Sequence, residues 1–226
     1  VVVGSPAEAI ADEAKRLAPD LIVMGARGLS NFKKLFIGSV TTGVLARTSI
    51  PVLVVRGGNP PSGGSLKVGI AVDGSPFSEQ AAQYAVDHAE LFGKAPEFHV
   101  IYVASVFENL SYSYPQEVPL PEVPAEENEA EQNLQALLAK RPELEREAFE
   151  KAIKPIRPIF EKAGAPFKEA CLSGEAGVEI AKYARKKLDL VVMGSRGLTN
   201  LQSVVLGSVT SRVMASGKAP LLIVPV

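Results

Sequence analysis

Residues Met193–Thr210, MGSRGLTNLQSVVLGSVT, are the stretch on which the fold turns. They leave an apolar run, Leu190–Met193, turn at Gly194 and Gly197, and after nine intervening residues reach Gly207 and Ser208, where an apolar pattern of helical period opens. The spacing predicts a strand, a glycine loop and a helix. Residues Met24–Thr41, MGARGLSNFKKLFIGSVT, carry the same device, with Gly25, Gly28, Gly38 and Ser39 at identical spacing. Laying Asp20–Arg56 on Asp189–Pro225 needs no gap and matches about half of the pairs, which marks an internal duplication.

Outward from these two stretches, short apolar runs alternate with helical patterns. Strands are predicted at Val1–Val3, Leu21–Met24, Val52–Val55, Val68–Val72, Phe98–Val103, Phe167–Leu172, Leu190–Met193 and Leu221–Val224. Helices are predicted after Pro6, from Ser39, over Glu79–Phe92, over Gly177–Lys187 and from Ser208. Charged helical sequence also fills about Glu126–Ala163, with breaks expected near Pro142 and again at Pro155 and Pro158. This alternation predicts an α/β fold, a parallel sheet with helices on both faces. The Gly/Pro/Ser-rich run Arg56–Ser65 is the clearest boundary, giving a first unit at 1–56, a linker at 57–65 and a second unit at 66–226. Ala104–Pro124, with four prolines, reads as an irregular connection, either a lid or disordered.

A chain of 226 residues, 46% hydrophobic with net charge −1, has the composition of a soluble globular protein. No apolar run approaches the ~20 residues of a membrane span and no signal peptide opens the sequence, so a cytoplasmic protein is expected. The balanced charge argues against general nucleic-acid binding. Cys171 is the only cysteine, which excludes an intrachain disulfide and a cysteine metal cage; in its apolar run it reads as a small core residue. His88 and His99 have no ligand-spaced neighbours and read as structural. The Ser62–Ser65 run precedes its strand and carries no phosphate-loop reading, and the Glu-rich helix after Pro124 reads as a solvated face.

In a parallel sheet, ligands sit beyond the carboxyl ends of the strands, where the strand order reverses. If the second unit has order 3-2-1-4-5, its crevice lies between Asp73 and Gly194. Gly194 and Gly197 let the backbone turn sharply and approach a ligand, while the helix opened by Gly207, Ser208, Val209 and Thr210 offers free N–H groups and a positive dipole end. Ser208 and Thr210 add hydroxyl donors, and the set suits a nucleotide's phosphates. Asp73 has two readings, an Asx-turn or N-cap residue and a contact to base or ribose. Arg196 and Arg27 are phosphate contacts or plain surface arginines. Neither copy contains the Gly-Lys-Ser/Thr of a Walker loop.

With these residues in place, the chain resembles the universal stress protein family in tandem form, in its ATP-binding branch. The resemblance rests on Gly-x2-Gly-x9-Gly-Ser, met by Gly194, Gly197, Gly207 and Ser208 and again by Gly25, Gly28, Gly38 and Ser39. It implies Rossmann-like domains with five parallel strands in the order 3-2-1-4-5, the first incomplete in this sequence. It implies that Ala71, Asp73 and Val103 border adenine, that Met193, Gly194 and Gly197 hold ribose and phosphate, and that Gly207, Ser208, Val209 and Thr210 hold phosphates. Mg²⁺ is expected with the ATP. A second site is implied at Gly25, Arg27, Gly28, Gly38, Ser39, Val40 and Thr41, although strands equivalent to those ending at Asp73 and Val103 do not occur before it. Because the sequence opens at Val1 inside an apolar run, further residues are expected ahead of it, on the order of the 100 that precede Phe167. The resemblance also implies an intrachain pseudo-dimer through strands 52–55 and 221–224, with a higher oligomer possible. It implies a stress-regulatory module; the alternatives are a slow ATPase or nucleotidyl-transfer enzyme, and a scaffold that binds no nucleotide.

Overall fold

Seven strands form one sheet in the order β1-β2-β7-β6-β3-β4-β5. The structure, a computed structural model, describes residues 4–26, 38–56, 64–104, 127–198 and 206–225, with 127–138 described by backbone alone. The expected strand at Val1–Val3, the loop residues Arg27 and Gly28, most of the linker and the stretch after Ala104 lie outside the described residues.

In chain order the elements are α1 (Pro6–Leu17), β1 (Ile22–Gly25), α2 (Ser39–Leu45), β2 (Val52–Val55), β3 (Lys67–Ala71) and α3 (Pro76–Asp87). A 3₁₀ turn, Ala89–Phe92, leads to β4 (Glu97–Ala104), α4 (Glu127–Ile153), α5 (Arg157–Lys162) and β5 (Phe167–Ser173). Helix α6 (Ala176–Lys187), β6 (Leu190–Gly194), α7 (Ser208–Ser216) and β7 (Leu221–Val224) complete the fold.

From β3 onward the local strand order is 3-2-1-4-5, all parallel, as β5-β4-β3-β6-β7. The sheet does not end at β7. Strand β2 pairs with it antiparallel, Leu53 opposite Leu222, and β1 pairs parallel with β2. One sheet therefore crosses both copies, and the β7 edge is closed by the chain itself.

Alternation along the strands divides the core. Val68, Ile70, Phe98, Val100 and Val192 face α3, α4 and α5 in a layer with Ala81, Ala85, Ile153 and Phe160. Ala71, Ile101, Val103, Val191 and Met193 face α6 and α7, with Ile180, Ala184, Val213 and Met214. Val52 and Val54 of β2, both fully buried, belong to this second layer, so the two copies share a core.

Three expectations are corrected. Helix α4 runs through Pro142; the lost N–H bond is offset by the buried Ala152 and Ile153 downstream and by the Arg141–Glu145 pair spanning the site, and the chain breaks only before Arg157. The helix expected over Glu79–Phe92 starts earlier, at Pro76 behind the Ser75 N-cap, and gives way to a 3₁₀ turn after His88. Cys171 is exposed, because β5 is an edge strand and the helix over its face leaves that position uncovered. Partial burial and the nearby Glu145 raise its thiol pKa. The buried His99 is structural as expected, its ring nitrogens bonded to Tyr183 Oη and Glu97 Oε1, both at 2.8 Å.

Candidate functional site

Strands β3 and β6 lie side by side, and the chain leaves them in opposite directions, toward β4 and toward β7. At this reversal a cleft of about 190 Å³ opens. Ala71, Asp73, Val103, Met193, Gly194, Arg196, Gly197, Gly207, Ser208, Val209 and Thr210 all line it, so every residue expected around the second glycine loop comes to one cavity. Val72, Ser78, Tyr102, Ala176, Ile180 and Leu198 also line it. These were missed because neighbouring Val72 and Tyr102 read as ordinary strand residues; Ala176 and Ile180, four apart on α6, read as a core face.

Asp73 occupies the middle of one wall. Its Oδ1 accepts from Ser75 N at 2.9 Å and from Ser75 Oγ at 2.5 Å. Its Oδ2 accepts from Leu198 N, in the glycine loop, at 3.2 Å. The residue is thus an Asx-turn residue and also a strut between the β3–α3 turn and the loop after β6; the N-cap of α3 is Ser75, which accepts from Ser78 N at 3.2 Å.

The loop glycines are needed for clearance rather than for unusual dihedrals. Neither Gly194 nor Gly197 has a positive φ. A Cβ on Gly194 would stand 2.9 Å from Phe77 O, and one on Gly197 would stand 2.3 Å from Asp73 Oδ2. Both positions leave room only for hydrogen.

Opposite Asp73 stands the start of α7. The helical ladder begins with Ser211 N donating to Gly207 O, so the N–H groups of Ser208, Val209 and Thr210 have no acceptor inside the helix. They form the positive pole of a nine-residue helix at the cleft wall. The Thr210 hydroxyl is not the phosphate donor expected: buried, it donates to Gly194 O at 3.0 Å and pins α7 to the end of β6. Among the described residues no group of three or more His, Cys, Asp or Glu is placed to hold a metal ion.

In the first copy, Gly25 ends β1, Gly38 precedes α2, and Thr41 donates to Gly25 O at 3.0 Å. Ser39 and Val40 open α2, while Arg27 and Gly28 are outside the described residues.

The sequence profile of the universal stress protein family matches residues 1–56 and 65–225. The chain belongs to the universal stress protein family. A universal stress protein of Methanocaldococcus jannaschii is 33% identical over 159 residues, 70% of this chain and 81% of its own length. One from Mycolicibacterium smegmatis is 31% identical over 97% of this chain, which spans 66% of that relative. A solved universal stress protein from Archaeoglobus fulgidus shares the fold, with TM-score 0.61 over 98% of this chain and 66% of its own, at 21% identity. Among the described residues no helix is long and apolar enough to cross a membrane.

Proposed function

We propose that the cleft between Asp73 and α7 binds an adenine nucleotide, ATP, and that its occupancy is the signal of a stress-response module built from two universal-stress-type units, 1–56 and 66–226. The observation that carries this reading is the pairing, in one cleft, of three helix-terminal N–H groups with an apolar slot. Ala71, Val103 and Ile180 offer walls for the base. Asp73 offers a carboxylate to base or ribose once Leu198 N is released, and Ser208, Val209 and Thr210 offer backbone N–H groups to the phosphates. The fit is tested by Gly197: a Cβ there would stand 2.3 Å from Asp73 Oδ2, so a side chain would displace the carboxylate that lines the cleft. Asp73, the one carboxylate among the described residues that line this cleft, would help to hold a Mg²⁺ ion together with phosphates and water, and the ion would neutralise phosphate charge.

Titration calorimetry with Mg·ATP tests this directly. One ATP per chain is expected, with Asp73→Ala and Gly197→Val weakening binding at least about tenfold, and saturation at 100 times Kd stabilising the fold by about 2.7 kcal/mol. No heat and no thermal shift at millimolar ATP overturns the nucleotide reading. Turnover above about 1 s⁻¹ overturns the regulatory one in favour of an enzyme.

A further inference from the structure

Behind the cleft, a charged side chain of the first copy reaches into the second. Arg56, the residue after β2, donates from Nη1 to Gly217 O and from Nη2 to Met214 O, both at the carboxyl end of α7. Met214 O is one of the last carbonyls of the helix, at the negative pole of the element whose positive pole lines the cleft, and Gly217 O belongs to the residue just beyond it. Many helices close this end with a left-handed residue that turns backbone donors onto the last carbonyls. Gly217 is instead extended, at φ −70° and ψ 154°. The guanidinium of Arg56 supplies donors in its place.

We propose that Arg56 is a positioning residue for phosphate binding, acting on the second copy's cleft through α7; this rests on the nucleotide reading above. The helix is held at both ends, by Thr210 on Gly194 O at the front and by Arg56 on Met214 O and Gly217 O at the back. With nine residues it is about 13 Å long. A rigid rod of that length transmits a displacement of its rear to its front. The cation also neutralises the negative pole, which leaves the field at Ser208–Thr210 more favourable to an anion.

The clasp runs one way. The β2–β7 register is symmetric about Leu53 and Leu222, so each copy could in principle reach the other's helix. Under the duplication Arg56 corresponds to Pro225, which has no side-chain donor, and Gly217 corresponds to Thr48. Helix α2 closes within the first copy, with Ala46 N bonded to Thr42 O, Arg47 N and Thr48 N bonded to Val44 O, and Arg47 Nη1 donating to Gly43 O at 2.9 Å. Arg56 is therefore not a requirement of the seam, and it serves only the helix that faces Asp73.

The test compares ATP with adenosine in the full chain, because a device acting on the phosphate end affects only the former. Arg56→Ala is expected to weaken ATP about five- to tenfold, at the lower end of couplings between distinct sites. Adenosine affinity should stay within about twofold, and Arg56→Lys, which retains charge and a donor, should recover part of the loss. Unchanged ATP affinity in Arg56→Ala, or equal loss for ATP and adenosine, overturns the proposal. Should Arg56→Ala fail to fold, Arg56→Lys alone decides: a selective loss for ATP supports the proposal, and no loss or an equal loss overturns it. Absence of ATP binding by the unaltered chain overturns the nucleotide reading, and this proposal with it.

Discussion

The β1–α2 and β6–α7 segments are nearly the same sequence in different surroundings. Locally they agree closely. Thr41 and Thr210 each donate to the glycine sixteen residues back at 3.0 Å; Gly38 N bonds Ala26 O at 3.0 Å as Gly207 N bonds Ser195 O at 2.8 Å. Ala26 N and Ser195 N donate to Val55 O and Val224 O, both at 2.8 Å. The surroundings differ: β6 is buried at every residue between β3 and β7, whereas β1 alternates and pairs, among the described residues, only with β2. A repeat carries its own loop geometry with it. The opposite wall of a cleft must come from elsewhere in the sheet.

The sharpest way to break this contrast is an aspartate at matched positions. Val192 is fully buried in β6, while its counterpart Val23 in β1 is 60% exposed. Val192→Asp leaves a charge without a partner in the core and is expected to cost about 4 kcal/mol or more, enough to unfold many domains. Val23→Asp should cost less than about 1 kcal/mol. Denaturant titration of both variants measures the difference, and equal losses would mean that the β1 face is covered in solution.

A smaller effect sharpens the shared part of the comparison. Thr41→Val and Thr210→Val each leave a glycine carbonyl without its donor, and each should cost about 1–2 kcal/mol in thermal or chemical melts. Only Thr210→Val should also weaken ATP, because only α7 faces Asp73. Equal weakening by Thr41→Val would show that the first copy completes a site.

The smallest effect lies at the opposite end of β4 from the cleft. The Lys168 ammonium, then His99, hold the Glu97 carboxyl down at about 2 from an ordinary value of 4.5. A depressed carboxyl contributes stability above its unfolded pKa and loses it as pH falls through the folded one. Melting temperature should therefore fall more steeply between pH 4.5 and pH 2 in the unaltered protein than in Glu97→Gln. The ATP affinity of Glu97→Gln at neutral pH should be unchanged. Parallel acid slopes would remove Glu97 from the account.

Several features were readable from composition and spacing because they depend on nearest neighbours along the chain. The short apolar runs Val52–Val55 and Leu221–Val224 became β2 and β7 at the expected residues, Gly207 preceded a helix, and Gly194 ended a strand. Asp73 and the second glycine loop were expected to face each other from strand order alone, and they do. Misreadings arose where a residue's surroundings outweigh its type. Pro142 was absorbed by a helix whose last turn buries Ala152 and Ile153, Cys171 fell on an edge strand, and Thr210 spent its hydroxyl on Gly194 instead of keeping it for a ligand.

The sequence by itself determined the duplication, the α/β alternation, the family and which loop belongs to the cleft, since each is written in residue identity at fixed spacing. Tertiary structure alone decided that one sheet joins the copies and that Gly197 packs against Asp73, whose Oδ2 stands 2.3 Å from where a Cβ would be. It also decided that Arg56 grips the far end of α7, 158 residues away along the chain at Met214. Those facts depend on which groups meet across the fold, and chain separation carries no record of such meetings.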